Sequence, residues 1–176
     1  MEELLLVEEV VAEIIPGEFI YTRIRFRLED GRYFYLYNIP FDIAIALKKM
    51  NGEEIEDDRE RLMDILMSMP EVLEILGRHL KRVIINDIDY KTGAYSAIAE
   101  FSDGNMYVRR KMVPSHAVFL AKLVNKPIYV RSELVDQQEE FRGYRILEDE
   151  YDTRYERYDE QSDEFAEDEY EIDDFI

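Results

Sequence analysis

Apolar positions along this chain come in short runs cut by Gly, Pro and Asn, and the spacing within each run names an element. Leu4 to Ile15 is apolar apart from Glu8, Glu9 and Glu13 and stops at Pro16-Gly17, which predicts a strand. From Phe19 to Leu28 the period is two: Ile24, Phe26 and Leu28 share one face, while Arg23, Arg25 and Arg27 share the other. Tyr33 to Tyr37 alternates likewise, with Phe34 and Leu36 opposite three tyrosines. Glu29-Asp-Gly-Arg32 between these runs predicts a hairpin turn. At Ile39-Pro40 the period changes to that of a helix, with Asn38 or Ile39 near the cap and Pro at the first position. The helix runs to about Met50 and ends at Asn51-Gly52.

The pattern then recurs. Glu9 to Gly31 aligns with Arg82 to Gly104 at an offset of 73 residues, which sets Ile24, Phe26 and Leu28 over Ala97, Ala99 and Phe101. A third strand and a helix follow at an offset of 74, with Pro40 over Pro114. The second half is expected as strands Lys81 to Ile88, Ala94 to Phe101 and Met106 to Met112, then a helix from Pro114 to Val124. A short strand follows at Lys126 to Val130, and a closing helix at Ser132 to Phe141. Between the halves, Asp57 to Met69 has helical spacing, Pro70 breaks it, and Glu71 to Leu76 forms a second helix closed by Gly77. A period this long lies outside the solenoid range. The fold class is therefore α+β: two related β-β-β-α halves in one mixed, mainly antiparallel sheet domain with helices packed on it. A site is expected where the halves meet.

Composition divides the chain further. The body, 1–147, holds halves at about 4–52 and 80–130 with a helical insertion at 53–79. Of the net charge of −19, residues 148–176 carry −13, from 15 acidic and 2 basic side chains, which leaves −6 for the body. Such a segment is expected to be disordered alone. Tyr151, Tyr155, Tyr158, Phe165, Tyr170 and Phe175 are spaced through it, as in segments that dock on a basic partner. A purely solubilising role is the other reading. The chain has no cysteine, which excludes disulfides and thiolate metal sites, and its two histidines leave little scope for zinc. No apolar run approaches a membrane span, and the start is acidic; a cytoplasmic location without membrane contact is expected. Apolar strands at both ends need covering, so a homo-oligomer is expected.

Several side chains carry candidate chemistry. Asp42 and His116 hold equivalent positions just inside a helix N-terminus after Pro, and would form an acid-base or metal pair if they face each other. Capping by Asp42 and a surface role for His116 fit equally well. Ser115 beside His116 suits a first helical turn better than a nucleophile-base pair, since helix neighbours point apart. Asp87 and Asp89 project from one strand face, with Glu100 able to join them from the adjacent strand, and oxygen ligands suit Mg²⁺ or Mn²⁺. Asp89-Tyr-Lys-Thr-Gly93 is also a turn in which Asp bonds locally. Arg23, Arg25 and Arg27, with Arg109, Arg110 and Lys111 in the other half, would bind nucleic-acid phosphates or pair with neighbouring Glu. Tyr33, Tyr35 and Tyr37 form a stacking platform or a face covered by helices or another subunit.

Four segments in order and spacing resemble the bifunctional nuclease family, formerly a domain of unknown function. They are Arg82-Val-Ile-Ile-Asn-Asp-Ile88, Ala94-Tyr-Ser-Ala-Ile-Ala-Glu-Phe101, Val113-Pro-Ser-His-Ala-Val-Phe-Leu-Ala121 and Lys126-Pro-Ile-Tyr-Val130. In the first half, Ile39-Pro-Phe-Asp42 with Ala44 and Ala46 is similar to the family's Gly-Pro-Phe-Glu-Ala segment, and Asp64-Ile-Leu66 to its Asp-Leu-Leu helix. The resemblance covers about residues 4 to 136. It implies a Mg²⁺- or Mn²⁺-dependent nuclease acting on DNA or RNA phosphodiesters, for which this chain's own candidates are Asp42, Asp64 and His116 as catalytic residues. Asp87 and Asp89 would be metal ligands, Arg23, Arg25 and Arg27 substrate contacts, and the tail an autoinhibitor. The chain departs from the family at Val113 (Arg), His116 (Asp) and Met63 (His). A competing reading, a non-catalytic oligomeric scaffold whose acidic tail recruits a basic protein, accounts for those polar losses and the tail together.

Overall fold

The computed structural model describes residues 3–142. The chain divides into two units, Met1–Asp136 and Gln137–Ile176. In the first, the β-rich runs form β1 (Leu4–Ile15), β2 (Tyr21–Leu28), β3 (Tyr33–Tyr37), β4 (Leu80–Asp89), β5 (Ala94–Ser102), β6 (Tyr107–Met112) and β7 (Ile128–Arg131). The helices are α1 (Phe41–Met50), α2 (Leu62–Met67), α3 (Pro70–His79) and α4 (Pro114–Leu123), and residues 132–136 are helical. Of the second unit, residues 137–142 are described and are helical. The expected disorder of 148–176 lies outside the described residues.

All seven strands join one sheet in the order β3-β2-β1-β7-β4-β5-β6. Each half supplies an antiparallel meander, β1 to β3 and β4 to β6, and β7 is the seam between them. It pairs antiparallel with β1 and parallel with β4, so β1 and β4 run in opposite senses. That relation is what two copies turned about a two-fold produce. The aligned turn glycines adopt the left-handed backbone that an Asp-Gly hairpin demands, with φ +86° at Gly31 and +97° at Gly104.

One sheet face carries the helices. Ile24, Phe26 and Leu28 of β2, Phe34 and Leu36 of β3, and Ala97 and Ala99 of β5 are buried there with α1 and α4. Small alanines on β5 and on α1 (Ala44, Ala46) and α4 (Ala117, Ala121) permit close approach. The sheet is strongly curved. Five interstrand steps separate β3 from β5, about 24 Å in a flat sheet. The Phe34 and Tyr95 rings nevertheless meet edge to face at 5.2 Å.

Three expectations change. The helix expected over Asp57 to Met69 is only Leu62–Met67, because the Asp57 carboxylate accepts from the Arg59 backbone N–H and guanidinium and from Arg61, a local alternative to helix. Gly77 does not close the next helix, which continues to His79; a Cβ there would lie 3.7 Å from Val124, in ordinary contact. The second strand starts at Tyr21, leaving Phe19 and Ile20 exposed outside it.

Candidate functional site

Asp42 and Asp64 lie near one another, and Arg61 is the reason. Its Nε donates to Asp42 Oδ1 at 3.0 Å, its Nη2 to Asp57 Oδ2 at 2.6 Å, and its backbone N–H to Asp64 Oδ2 at 2.8 Å. Lys49 Nζ takes the other Asp64 oxygen at 2.8 Å, and the Arg61 guanidinium lies 5.9 Å from the Phe41 ring centre. Burial pushes the Asp64 carboxyl up, but the Lys49 hydrogen bond and the Arg61 N–H outweigh it and leave it below its ordinary value. Asp57 is held far below the usual carboxylate range by Arg59 first, then Arg61.

The other candidates stand apart from this group. Asp87 bonds the N–H of Ile88 and sits 4.0 Å from Lys111. Asp89 caps its turn through the Lys91 N–H at 2.9 Å, and the backbone N–H of Lys91 with the Thr92 side chain lowers its pKa. Glu100 does not join them, because Asp87 pairs with Ser96 and the Glu100 register partner is Arg82. His116 is exposed on the first turn of α4, whereas Ser115 is buried. The Asp42 carboxylate is engaged by Arg61, not by His116.

A cavity of about 270 Å³ does lie where the halves meet, between Ile39-Pro40 of one and Val113-Pro114-Ser115 of the other. Tyr37 and Tyr95 flank it, and neither Asp42 nor His116 lines it. Among the described residues, no three His, Cys, Asp or Glu side chains are placed together as metal ligands. The acids that do approach one another point their oxygens at guanidinium and ammonium groups. As placed, this donor set does not fit Mg²⁺ or Mn²⁺, which needs open carboxylate oxygens.

The sheet face away from the helices gathers the cations and tyrosines instead. Arg23 pairs with Glu13; Arg25 approaches the same carboxylate at 3.7 Å, and Arg27 meets Glu8 at 2.9 Å. The Tyr35 and Tyr37 rings stack at 5.9 Å, and Arg23 lies 5.2 Å from the Tyr35 centroid. Cross-strand pairing is therefore the fate of the Arg ladder, and its tyrosines are not covered by α1 or α4.

Sequence reasoning missed Arg61 and Lys49 as organisers of the acids, and missed Arg82 as the partner of Glu100. A signal for the last was present in the repeat. Glu9 pairs across the strands with Arg27, and the residues 73 positions on are Arg82 and Glu100, which also pair but with charges exchanged. Among the described residues, no helix is long and apolar enough to cross a membrane. No protein-family model matches the sequence, and no curated protein matches it.

Proposed function

We propose that this chain is a non-catalytic binding protein built on a bifunctional-nuclease-like fold, in which the acidic segment 148–176 recruits a basic partner. One observation carries the reading: Asp42, Asp57 and Asp64 are gathered by Arg59, Arg61 and Lys49 into a charge-balanced structural network, while Asp87, Asp89 and His116 lie elsewhere. Phosphodiester hydrolysis needs carboxylates open to a divalent metal and a cation free to meet developing charge. Here the same groups satisfy one another. The sheet face opposite α1 and α4 and the sheet edges at β3 and β6 are the surfaces on which copies of the chain would assemble.

The test compares three forms: the full chain, a form ending at Leu147, and that shortened form carrying Asp42→Ala and Asp87→Ala. Each is incubated with labelled single- and double-stranded DNA and RNA in Mg²⁺ or Mn²⁺, and titrated with an oligolysine peptide. The expected result is no cleavage above buffer in any form, and peptide binding by the full chain that the shortened form loses. Cleavage by the shortened form that the double substitution abolishes would overturn the reading in favour of a nuclease with an inhibitory tail.

A further inference from the structure

The sheet face opposite α1 and α4 holds a second cavity, of about 320 Å³, at the small end of the range for small-molecule sites. Three guanidiniums line it, those of Arg82, Arg109 and Arg131, against one carboxylate, Glu100. We infer that this cavity binds a phosphate monoester carried on a hydroxylated carbon skeleton. The inference is independent of the tail and of any hydrolytic activity.

The argument starts with the floor. Glu100 is 4% exposed, and Arg82 holds both its oxygens, through Nε to Oε2 and at 3.4 Å through Nη2 to Oε1. Arg109 Nε lies 3.6 Å from Oε1. Glu100 thus takes the Arg82 Nε as a hydrogen bond and the Arg109 Nε as an ion-pair neighbour. A guanidinium has five N–H donors, so each keeps terminal donors for something else. Arg82 also lies 5.9 Å from the Tyr129 ring centre, which fixes its plane. Burial pushes the Glu100 carboxyl up, yet Arg82, the Tyr107 hydroxyl and Arg109 bring it below its ordinary value, so it stays charged near neutral pH. Arg82 and Arg109 together exceed the Glu100 charge by one, and Arg131 adds a third guanidinium to the lining. A phosphate monoester, with several charged oxygens on one atom, matches the net positive charge and the forked geometry of arginine.

Two further features define the rest of the ligand. Asn86 lines the cavity, and its buried Oδ1 has no hydrogen-bond partner. A buried acceptor left unmade is costly, and a phosphate dianion has no proton to offer it. A hydroxyl on the ester's carbon skeleton does. Leu4 and Ile84 supply an apolar wall against which that skeleton would lie. Inorganic phosphate would satisfy the arginines alone.

The test is calorimetric titration of the full chain with ribose 5-phosphate, adenosine 5′-monophosphate, inorganic phosphate, ribose and a 5′-phosphorylated oligonucleotide beside its unphosphorylated twin, with NaCl matched for ionic strength. Saturable binding of the phosphate esters is expected, tighter than inorganic phosphate, with none for ribose. Arg109→Ala, on an exposed strand at the sheet edge, is expected to weaken ester binding about tenfold or more, the loss of one charge-assisted hydrogen bond. Asn86→Ala is expected to erase the preference for the ester over inorganic phosphate while leaving the melting temperature of the free protein within a few degrees. The inference is overturned if no phosphate compound binds, if matched NaCl competes fully, if Arg109→Ala binds as the parent does, or if the unphosphorylated oligonucleotide binds equally.

Discussion

A carboxylate buried as deeply as that of Glu100 persists as an anion because Arg82 and Arg109 sit on it, and this ties stability to pH at one residue. Its pKa in the folded chain lies below the ordinary 4.5. A group with a depressed folded pKa contributes stability above its unfolded pKa, and that contribution is lost as pH falls through the folded value. Glu100→Gln is therefore expected to cost about 1–3 kcal/mol near neutral pH, towards the lower end because Arg82 is 40% exposed on its side chain. The gap between parent and variant should narrow as pH falls below 4.5, and denaturant unfolding at neutral and acidic pH measures it. A gap that stays constant across that window would show that the arginine contacts are not its source. Asp64 titrates in the same direction for the same kind of reason, so the parent's own acid sensitivity does not isolate Glu100. The comparison with the Gln variant does.

Among elements, the decisive contact is between strands remote in the sheet order. Phe34 of β3 is fully buried, tilts against Phe26 at 6.1 Å, and meets Tyr95 of β5. Removing its ring leaves a cavity on both sides of the curve, so Phe34→Ala is expected to destabilise by about 3–5 kcal/mol. Tyr95→Phe keeps the ring and should cost far less; denaturant titration of both variants checks the pair. A similar loss for Phe34→Ala and Tyr95→Phe would mean that the Tyr95 hydroxyl, rather than ring packing, joins the two halves. Strand faces of this kind were legible in the sequence, because alternation with period two assigns Phe26 and Phe34 to one side without reference to the rest of the fold. The repeat likewise announced two equivalent meanders. The curvature was not legible, since the Phe34–Tyr95 contact arises from accumulated twist across five steps. Nor was the fate of residues 57–61, where Asp57 bonds to Arg59 and Arg61 in competition with a helical pattern. The same limit applies to the candidate site. Asp42, Asp64 and Asp87 are conspicuous acids, but what each does depends on a cation distant in sequence: Lys49 is 15 residues from Asp64, and Arg61 is 19 from Asp42.

For the whole molecule, charge is segregated along the chain: residues 148–176 hold −13 of the total −19. The first unit meanwhile places Arg23, Arg25, Arg27, Arg82 and Arg109 on the sheet face opposite α1 and α4, each near a Glu carboxylate. Two electrostatic consequences follow, and they separate by ionic strength. Binding of an oligolysine peptide by the acidic segment is a sum of exposed contacts, so it should weaken steeply from about 0.05 to about 0.5 M salt. The form ending at Leu147 should bind the peptide weakly at every salt concentration. That form also lacks the long-range repulsion of the segment, so its affinity for a polyanion such as single-stranded DNA should rise at low salt. If repulsion alone is responsible, the rise disappears once the screening length falls to a few ångströms, near 1 M salt. If the acidic segment instead competes for Arg23, Arg25 and Arg27, substituting those three by Gln removes the gain even at low salt. Fluorescence anisotropy of labelled peptide and labelled DNA on the two forms, with and without the triple substitution, reads both consequences. Repulsion is the expected outcome, because Glu8 and Glu13 already occupy the arginine ladder. A polyanion affinity that deletion leaves unchanged at low salt would exclude both routes.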